Sequence, residues 1–184
     1  MKNGSKQPEL KTPRLILNQF TLDDAPEVKT ICSNKAIADT TAHIPHPYEE
    51  EMATEWIPTH DISYKKGKAV IYAIRSSDFD NLIGAISLVI DQISNLAELG
   101  YWIRKEEWNK GYCTEAGKSI IQFGFEHLNL NKIYADHMAR NPASGKVLEK
   151  LGLKKEGYLK QHFKKWDIYE DIAVYGLCRS DYTP

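Results

Sequence analysis

The chain has 184 residues, 42% of them hydrophobic and 27% charged, and its formal net charge at pH 7 is −1. This length allows one domain with a sizeable core, and the balanced charge gives no support to a nucleic-acid-binding protein or to attraction by an anionic membrane. No apolar run approaches the ~20 residues that cross a bilayer.

Residues 1–11 are polar and contain no hydrophobic signal core. We expect them to form a frayed tail that precedes a single domain over residues 12–184. Cys32, Cys113 and Cys178 are far apart and odd in number, which does not fit a disulfide framework or a zinc site. The expectation is therefore a cytoplasmic protein with reduced thiols and no metal.

The first half of the chain contains alternating apolar stretches, which predict strands, and apolar residues spaced by three or four, which predict helices. Thr21-Leu-Asp-Asp resembles the start of a helix, and Glu49, Glu50 and Glu51 suit the first turn of another. The predicted elements begin with a strand over Arg14 to Gln19, a helix from Thr21, an irregular segment over residues 34–47 and a helix from Tyr48 to Lys66. Two strands follow, Ala69 to Arg75 and Leu82 to Ile90, joined by a turn at Asp78 to Asn81.

The most informative segment is Trp108-Asn-Lys-Gly-Tyr-Cys-Thr-Glu-Ala116, which follows an extended aromatic run from Asn95 to Arg104 and opens a long amphipathic helix. A strand, a short loop and a helix N-terminus bring unpaired N–H groups and the positive end of the helix dipole together. This arrangement predicts an anion site suited to phosphate. Its single glycine, Gly111, fits neither a Walker A loop nor a G-x-G-x-x-G fingerprint, so a nucleotide enzyme loses its main support.

After the long helix, the pattern predicts a strand, a short helix and two closing strands. Asn141 suits the N-cap of the short helix, Pro142 its first position and Gly152 its end. Strands that cluster, with helices between them, indicate an α+β or mixed α/β sheet rather than a doubly wound one. The predicted ranges are Lys132 to Met138, Asn141 to Gly152, Lys154 to Phe163 and Tyr169 to Cys178.

Five segments together carry a family resemblance: Trp108 to Ala116, Asn141-Pro-Ala-Ser-Gly-Lys-Val-Leu-Glu-Lys-Leu-Gly152, Thr12-Pro-Arg-Leu-Ile-Leu17, Pro45-His-Pro-Tyr48 and Asp171-Ile-Ala-Val-Tyr-Gly-Leu177. They resemble the GNAT N-acetyltransferases, in particular the RimJ/RimL branch of ribosomal-protein alanine and serine acetyltransferases. The resemblance implies the GNAT acyltransferase fold, a mixed, mostly antiparallel sheet with a splayed central strand pair, flanked by helices.

The resemblance also implies acetyl-coenzyme A as the co-substrate. In that family the glycine loop and the helix start bind the pyrophosphate, and free main-chain groups of the preceding strand pair with the pantetheine. Asn141 and Ser144 are expected to approach the pantetheine from the other side of the cleft. The coenzyme-binding residues implied in this way are Trp102, Ile103, Asn109, Gly111, Tyr112, Cys113, Thr114 and Asn141.

The chain departs from the family pattern at three positions. Trp108 stands where many relatives carry Gln or Arg, and Cys113 where Gly or Ala is usual. Glu149 stands where some acetyltransferases place a Tyr general acid. That route for protonating the leaving thiolate is therefore absent here.

Acyl transfer to an amine needs a neutral amine, a donor to the developing oxyanion and a stabilised thiolate. An α-amino group has a pKa of about 8, so a modest base suffices. We assign the base to Glu98, the donor toward the coenzyme sulfur to Ser144, and the donor to the thioester carbonyl to the Ile103 N–H. The alternatives are an exposed strand carboxylate for Glu98 and a local backbone partner for Ser144.

Other residues have both a chemical and a structural interpretation, and the structural one is favoured in each case. Cys113 has no His–acid pattern to support a nucleophilic role. His43 and His46 lack metal-ligating partners at a useful spacing. For Tyr101, Trp102 and Trp108, packing in the core and the cleft wall is favoured over stacking on nucleic-acid bases. For Lys164-Lys165-Trp166, a solvated hairpin turn is favoured over a functional basic patch.

The sequence therefore predicts an N-acetyltransferase that moves an acetyl group from acetyl-coenzyme A to a primary amine by direct transfer in a ternary complex. The acceptor is a protein N-terminus or a small amine; no nucleic acid or membrane partner is expected, and a homodimer is left open. Residues 40–65, the expected acceptor wall, do not decide between the acceptors. The alternative is a non-catalytic acyl-coenzyme A sensor or scaffold of the same fold.

Overall fold

The computed structural model describes residues 6–183. In chain order, its helices and strands are β1 (Leu10–Lys11), β2 (Leu15–Asn18), α1 (Ala25–Cys32), α2 (Lys35–Thr40), α3 (Glu50–Trp56), α4 (Pro58–Lys65), β3 (Ala69–Ser76), β4 (Leu82–Asp91), β5 (Leu96–Ile103), α5 (Tyr112–Glu126), β6 (Lys132–Met138), α6 (Pro142–Lys150), β7 (Lys154–Lys165) and β8 (Ile168–Cys178).

Within the described residues, the strands form one eight-stranded sheet in the order β1-β2-β3-β4-β5-β6-β8-β7. The pair β5–β6 is parallel, and the other neighbouring pairs are antiparallel. Residues 96–98 of β5 pair with residues 132–134 of β6, and beyond Glu98 the two strands separate. This confirms the predicted mixed, mostly antiparallel sheet with a splayed central pair.

Helices cover both faces of the sheet. Tyr72 and Ala73 are neighbours on β3 but belong to two different apolar clusters, because alternate side chains of a strand point to opposite faces. The helix α5 contributes to the Tyr72 cluster, and α1, α2 and α3 contribute to the Ala73 cluster. None of the described helices is long and apolar enough to span a membrane.

Part of the predicted N-terminal tail belongs to the sheet. Residues 1–5 lie outside the described residues, but Leu10 of β1 pairs with Leu17 of β2. Gln7 is buried, and its Nε2 donates to Ile71 O at 2.9 Å. The prediction of a frayed tail was therefore wrong for its second half, because contacts with distant strands order a segment that is polar in sequence.

The predictions between residues 34 and 66 were also wrong in two respects. Residues 34–47 were predicted to be irregular, yet they contain α2, whose N-cap Asn34 accepts a hydrogen bond from the Ala36 N–H at 3.1 Å. The single helix predicted from Tyr48 to Lys66 is divided into α3 and α4. Pro58 begins the second helix, since it has no N–H with which to continue the first.

Candidate active site

The loop that leads into α5 presents main-chain N–H groups. Asn109 and Gly111 have positive φ angles of 63° and 83°, and the helix begins immediately afterwards. The Glu115 N–H makes the first helical bond, to Gly111 O at 3.0 Å. The first N–H groups of any helix have no acceptor within the helix, and here no side chain caps them either. These groups, which suit an anion, belong to Gly111, Tyr112, Cys113 and Thr114.

Arg14 of the segment before β2 restrains this loop from outside. Its Nη1 donates to Lys110 O at 3.1 Å, and its guanidinium carbon lies 4.6 Å from the centroid of the Tyr112 ring. A Cβ added to Gly111 would lie 3.5 Å from Arg14 Nη2, an ordinary contact distance. The left-handed backbone, rather than crowding, is therefore what favours glycine at this position.

The gap between β5 and β6 exposes alternate main-chain groups of β5. The Arg104 N–H donates to Ile83 O at 2.7 Å. Because hydrogen bonding alternates along an antiparallel pair, this bond directs the N–H and C=O of Trp102 toward β4 and those of Tyr101 and Ile103 toward the gap. The prediction that Trp102 offers free main-chain groups was therefore wrong, and Tyr101 offers them instead.

Trp108 closes the end of this gap next to the loop. Its indole Nε1 donates to Ile103 O at 2.6 Å. The Ile103 carbonyl is thereby occupied, whereas its N–H remains directed into the gap. The structure thus gives the unusual tryptophan a positioning contact that its aromatic character alone did not predict.

The opposite wall of the gap is the start of α6. Asn141 caps this helix, since its Oδ1 accepts from the Ser144 N–H at 3.3 Å. The Ser144 Oγ lies 2.7 Å from the Tyr101 hydroxyl of β5, so the two hydroxyls meet across the gap. Burial raises the pKa of Tyr101, which keeps its hydroxyl protonated. The sequence predicted only packing for Tyr101. Its spacing of two residues from the apolar Leu99, which puts both side chains on one face of β5, was the available signal that Tyr101 faces the helices α5 and α6.

Two carboxylates lie on the other face of β5 and β6. Glu98 pairs with Tyr134 where the strands separate, and its Oε2 accepts from the Tyr134 hydroxyl at 3.2 Å. Asp136 follows Tyr134 by two residues and so shares its face. Burial raises the pKa of Asp136, and three histidines oppose that increase: His137, His162 and His43. Sequence reasoning missed Asp136 because it belongs to no motif.

Lys165 differs most from its sequence prediction. Lys164 and Trp166 are exposed, as expected near a hairpin turn, but Lys165 is only 5% exposed. Its ammonium donates to three main-chain carbonyls, those of Thr41 at 2.8 Å, Ala42 at 3.1 Å and Ile44 at 2.8 Å. The prediction of a solvated side chain was therefore wrong for Lys165, because the partners that bury it are more than a hundred residues away in sequence.

The three cysteines are free thiols. Burial raises the pKa of the Cys113 thiol, which keeps it protonated and disfavours a nucleophilic role. His43 and His46 are exposed on the segment before α3. Across residues 6–183, no group of three or more His, Cys, Asp or Glu side chains is arranged to hold a metal ion.

Sequence comparison relates this chain to known proteins. The family model of the acetyltransferase (GNAT) domain matches residues 14–154. The N-acetyltransferase YoaA of Bacillus subtilis (strain 168), itself uncharacterised, is 31% identical over 94% of this chain and 97% of its own. The ribosomal protein uS5-alanine N-acetyltransferase of Escherichia coli (strain K12) is 29% identical over 66% of this chain and 63% of its own.

Structural comparison agrees on the fold. The spermidine N-acetyltransferase from Vibrio cholerae, in a crystal structure with CoA and spermine, superposes with a TM-score of 0.79. The match covers 92% of this chain and 98% of that protein, at 23% sequence identity.

Proposed function

This chain belongs to the GNAT acetyltransferase family, and from that premise we propose how its residues carry out the reaction. It is an acetyl-coenzyme A-dependent N-acetyltransferase, which moves an acetyl group to a primary amine. One observation carries the assignment of residues: the uncapped start of α5 lies just beyond the end of β5, where β5 and β6 have separated.

The coenzyme-binding part of the proposal uses main-chain groups. The N–H groups at the start of α5 bind the pyrophosphate, and the absence of a side chain at Gly111 lets it approach closely. The pantetheine lies in the gap, where the Tyr101 C=O and the Ile103 N–H pair with its amides as another strand would, and the Ile103 C=O stays bonded to Trp108. Asn141 contacts it from the start of α6. The pyrophosphate ligands are Asn109, Gly111, Tyr112, Cys113 and Thr114.

The catalytic part of the proposal places a base and a donor on opposite sides of the thioester. Glu98 and Tyr101 lie on opposite faces of β5. Glu98 removes a proton from the acceptor ammonium, directly or through water, and the freed nitrogen attacks the thioester carbon. The Tyr101 N–H, which also faces the gap, stabilises the oxyanion while the C–N bond forms and the C–S bond breaks. The sequence assigned this donor to Ile103, but Ile103 lies five residues along β5 from Glu98, about 17 Å away, and on the side of the pyrophosphate site. The sulfur leaves as a thiolate that accepts a hydrogen bond from Ser144, which Tyr101 orients. The attacking nitrogen loses its second proton, which passes through water to the thiolate, and Glu98 releases the first proton to solvent.

The acceptor in this proposal is a protein N-terminal α-amino group or a small amine. The relative from Escherichia coli is named for acetylating an alanine of a ribosomal protein, and the structure from Vibrio cholerae contains spermine. A protein N-terminal amine and a polyamine are both cations before they react. Glu98 and Asp136 supply negative charge on the acceptor side, which would attract either one. We also propose a cytoplasmic location, which is consistent with three free thiols.

The proposed reaction is tested with purified protein, acetyl-coenzyme A and a panel of N-terminal peptides, polyamines and amino acids. Mass spectrometry of the products identifies the acceptor by a gain of one acetyl group. We expect at least one amine class to be acetylated without an acetyl-enzyme intermediate. If no amine in the panel gains an acetyl group, the proposed function fails.

The role of Glu98 is tested by Glu98→Gln, which removes the base and preserves shape. We expect turnover to fall by about 100-fold while coenzyme affinity changes little, because the carboxylate does not face the pyrophosphate site. Glu126→Gln, on an exposed carboxylate at the far end of α5, is the matched control. Equal turnover of the two variants would exclude Glu98 as the base.

A further inference from the structure

The segment Thr40–Ile44, which we call the strap, connects α2 to the turn before α3. Its carbonyl groups point at Lys165, the last residue of β7. Asn141 adds a second contact, since its Nδ2 donates to Thr40 O at 3.4 Å. The strap is therefore held by donors from two elements that are remote from it in sequence.

These contacts join the two halves of the sheet. Ile37 of α2 and Ile44 of the strap pack with the cluster on β3 and β4, on one side of the gap. Lys165 lies on β7, which is on the other side of the gap in the strand order. The strap thus crosses from one half of the splayed sheet to the other, next to the cap of α6.

Lys165 is well suited to hold main-chain carbonyls. Its ammonium has three N–H groups, and each finds a carbonyl oxygen in the strap. Burial lowers the pKa of Lys165, assisted by the charge of Arg140 and opposed by that of Asp39. A buried cation of this kind costs free energy of desolvation, so the hydrogen bonds to the strap are what offset it.

His43 is a residue of the strap and lies on the acceptor side of the cleft. The His43 ring meets the Phe163 ring of β7 edge-on, with 6.0 Å between centroids. His43 also lies close enough to Asp136 to influence its pKa. The lysine that holds the strap therefore determines where an exposed histidine stands relative to the acidic residue of the site.

We propose that Lys165 is a positioning residue that shapes the amine-binding side of the cleft by holding the strap, and with it His43, across the gap. The inference rests on the proposed function, because it assumes that an amine enters on the Glu98 and Asp136 side. Lys165 acts through the strap and not on the reacting atoms. It contacts none of the pyrophosphate ligands, and Asn141, which also contacts the strap, keeps its own hydrogen bond from the Ser144 N–H, so the main effect of Lys165 is on the acceptor.

The test compares Lys165→Met with Lys164→Met, which removes an exposed lysine next to it on the same strand. We expect Lys165→Met to raise the acceptor KM about tenfold or more, while kcat at saturation and the dissociation constant of coenzyme A stay within about twofold. Hydrogen exchange should become faster in the strap amides of this variant alone. Lys165→Arg, which keeps the charge and several donors, should recover part of the acceptor affinity.

Several outcomes overturn the inference. It fails if Lys165→Met and Lys164→Met have the same acceptor KM, or if Lys165→Met weakens amine and coenzyme binding equally, as general destabilisation would. If Lys165→Met does not fold, His43→Ala decides the question, since His43 is exposed: an unchanged acceptor KM overturns the inference. If the wild-type protein acetylates no amine, the proposed function fails first and this inference falls with it.

Discussion

Arg14 and Glu115 are 101 residues apart in sequence and form an ion pair beside the start of α5. The Arg14 Nε donates to Glu115 Oε2 at 2.7 Å, and the Arg14 main-chain N–H donates to Oε1 at 2.9 Å. Burial by itself raises the pKa of Glu115, but hydrogen bonds from Thr12 and Arg14, together with the Arg14 charge, outweigh it and lower the pKa. These contacts hold the segment between β1 and β2 against the first turn of α5.

The Arg14–Glu115 pair predicts a specific effect on coenzyme binding. Arg14→Ala removes the support of the loop and leaves the Glu115 carboxylate uncompensated near the pyrophosphate site. We expect the dissociation constant of coenzyme A, measured by calorimetry, to rise about tenfold, or ~1.4 kcal/mol. The double variant Arg14→Ala/Glu115→Ala should recover part of the loss. Lys11→Ala, at an exposed lysine nearby, is the control, and coenzyme binding by Arg14→Ala that matches it would contradict the prediction.

The hydroxyl pair across the gap predicts non-additive kinetics. Tyr101→Phe leaves Ser144 without its partner, so we expect kcat to fall about tenfold with little change in coenzyme affinity. Ser144→Ala should reduce kcat by at least as much, and adding Tyr101→Phe to it should cost little more, because the two residues act as a unit. Steady-state kinetics measure all three variants. Tyr169→Phe, on an exposed tyrosine of β8, should be neutral, and fully additive losses would refute the pairing.

His60 predicts a pH dependence of stability. It is 6% exposed, packs edge-on against Trp56 and has no hydrogen-bond partner for either ring nitrogen among the described residues. Burial lowers the pKa of His60 to about 4. Between the ordinary pKa of about 6.5 and this value, the unfolded chain binds the proton and the folded chain does not, so stability rises with pH.

The stability contributed by neutral His60 is therefore complete above about pH 6.5 and lost as the pH falls toward 4, by an amount on the order of 3 kcal/mol. Urea unfolding at pH 7 and at pH 4.5 measures the difference. His60→Phe, which suits the aromatic surroundings, should make stability less dependent on pH in this range. His127→Gln, at an exposed histidine, should not. An unchanged pH slope in His60→Phe is the contrary result.

Gly84 predicts a steric effect on the strand that borders the gap. A Cβ at this position would lie 2.2 Å from Trp102 O, a main-chain atom that cannot move aside as a side chain would. Gly84→Ala should destabilise the protein by about 2 kcal/mol or more and lower Tm by about 6 °C. Gly157→Ala is the control, since its Cβ would meet Val174 Cβ at 4.0 Å. Equal melting temperatures in calorimetry would show that β4 and β5 adjust without cost.

Local patterns predicted the elements that depend on local interactions. The start of α5, the strand β6 and the helix α6 were predicted correctly because caps, glycine conformations and apolar spacing act within a few residues. The helix α2 was missed even though Asn34 is an N-cap, since its six residues show too short an apolar pattern. The second half of the predicted tail was wrong because distant strands order it.

The sequence by itself predicted an anion site at Gly111 and placed the chain with the acetyltransferases, because a glycine loop before a helix start is a local feature and the motifs are read in order. The family is confirmed, and the anion site stays a prediction. Only the tertiary structure decided that Tyr101 meets Ser144, that Trp102 turns its main-chain groups to β4, and that Lys165 is buried against the strap. Each of these depends on which strands pair, and on which remote segments exclude water from a polar group. Those relationships are absent from any short stretch of sequence.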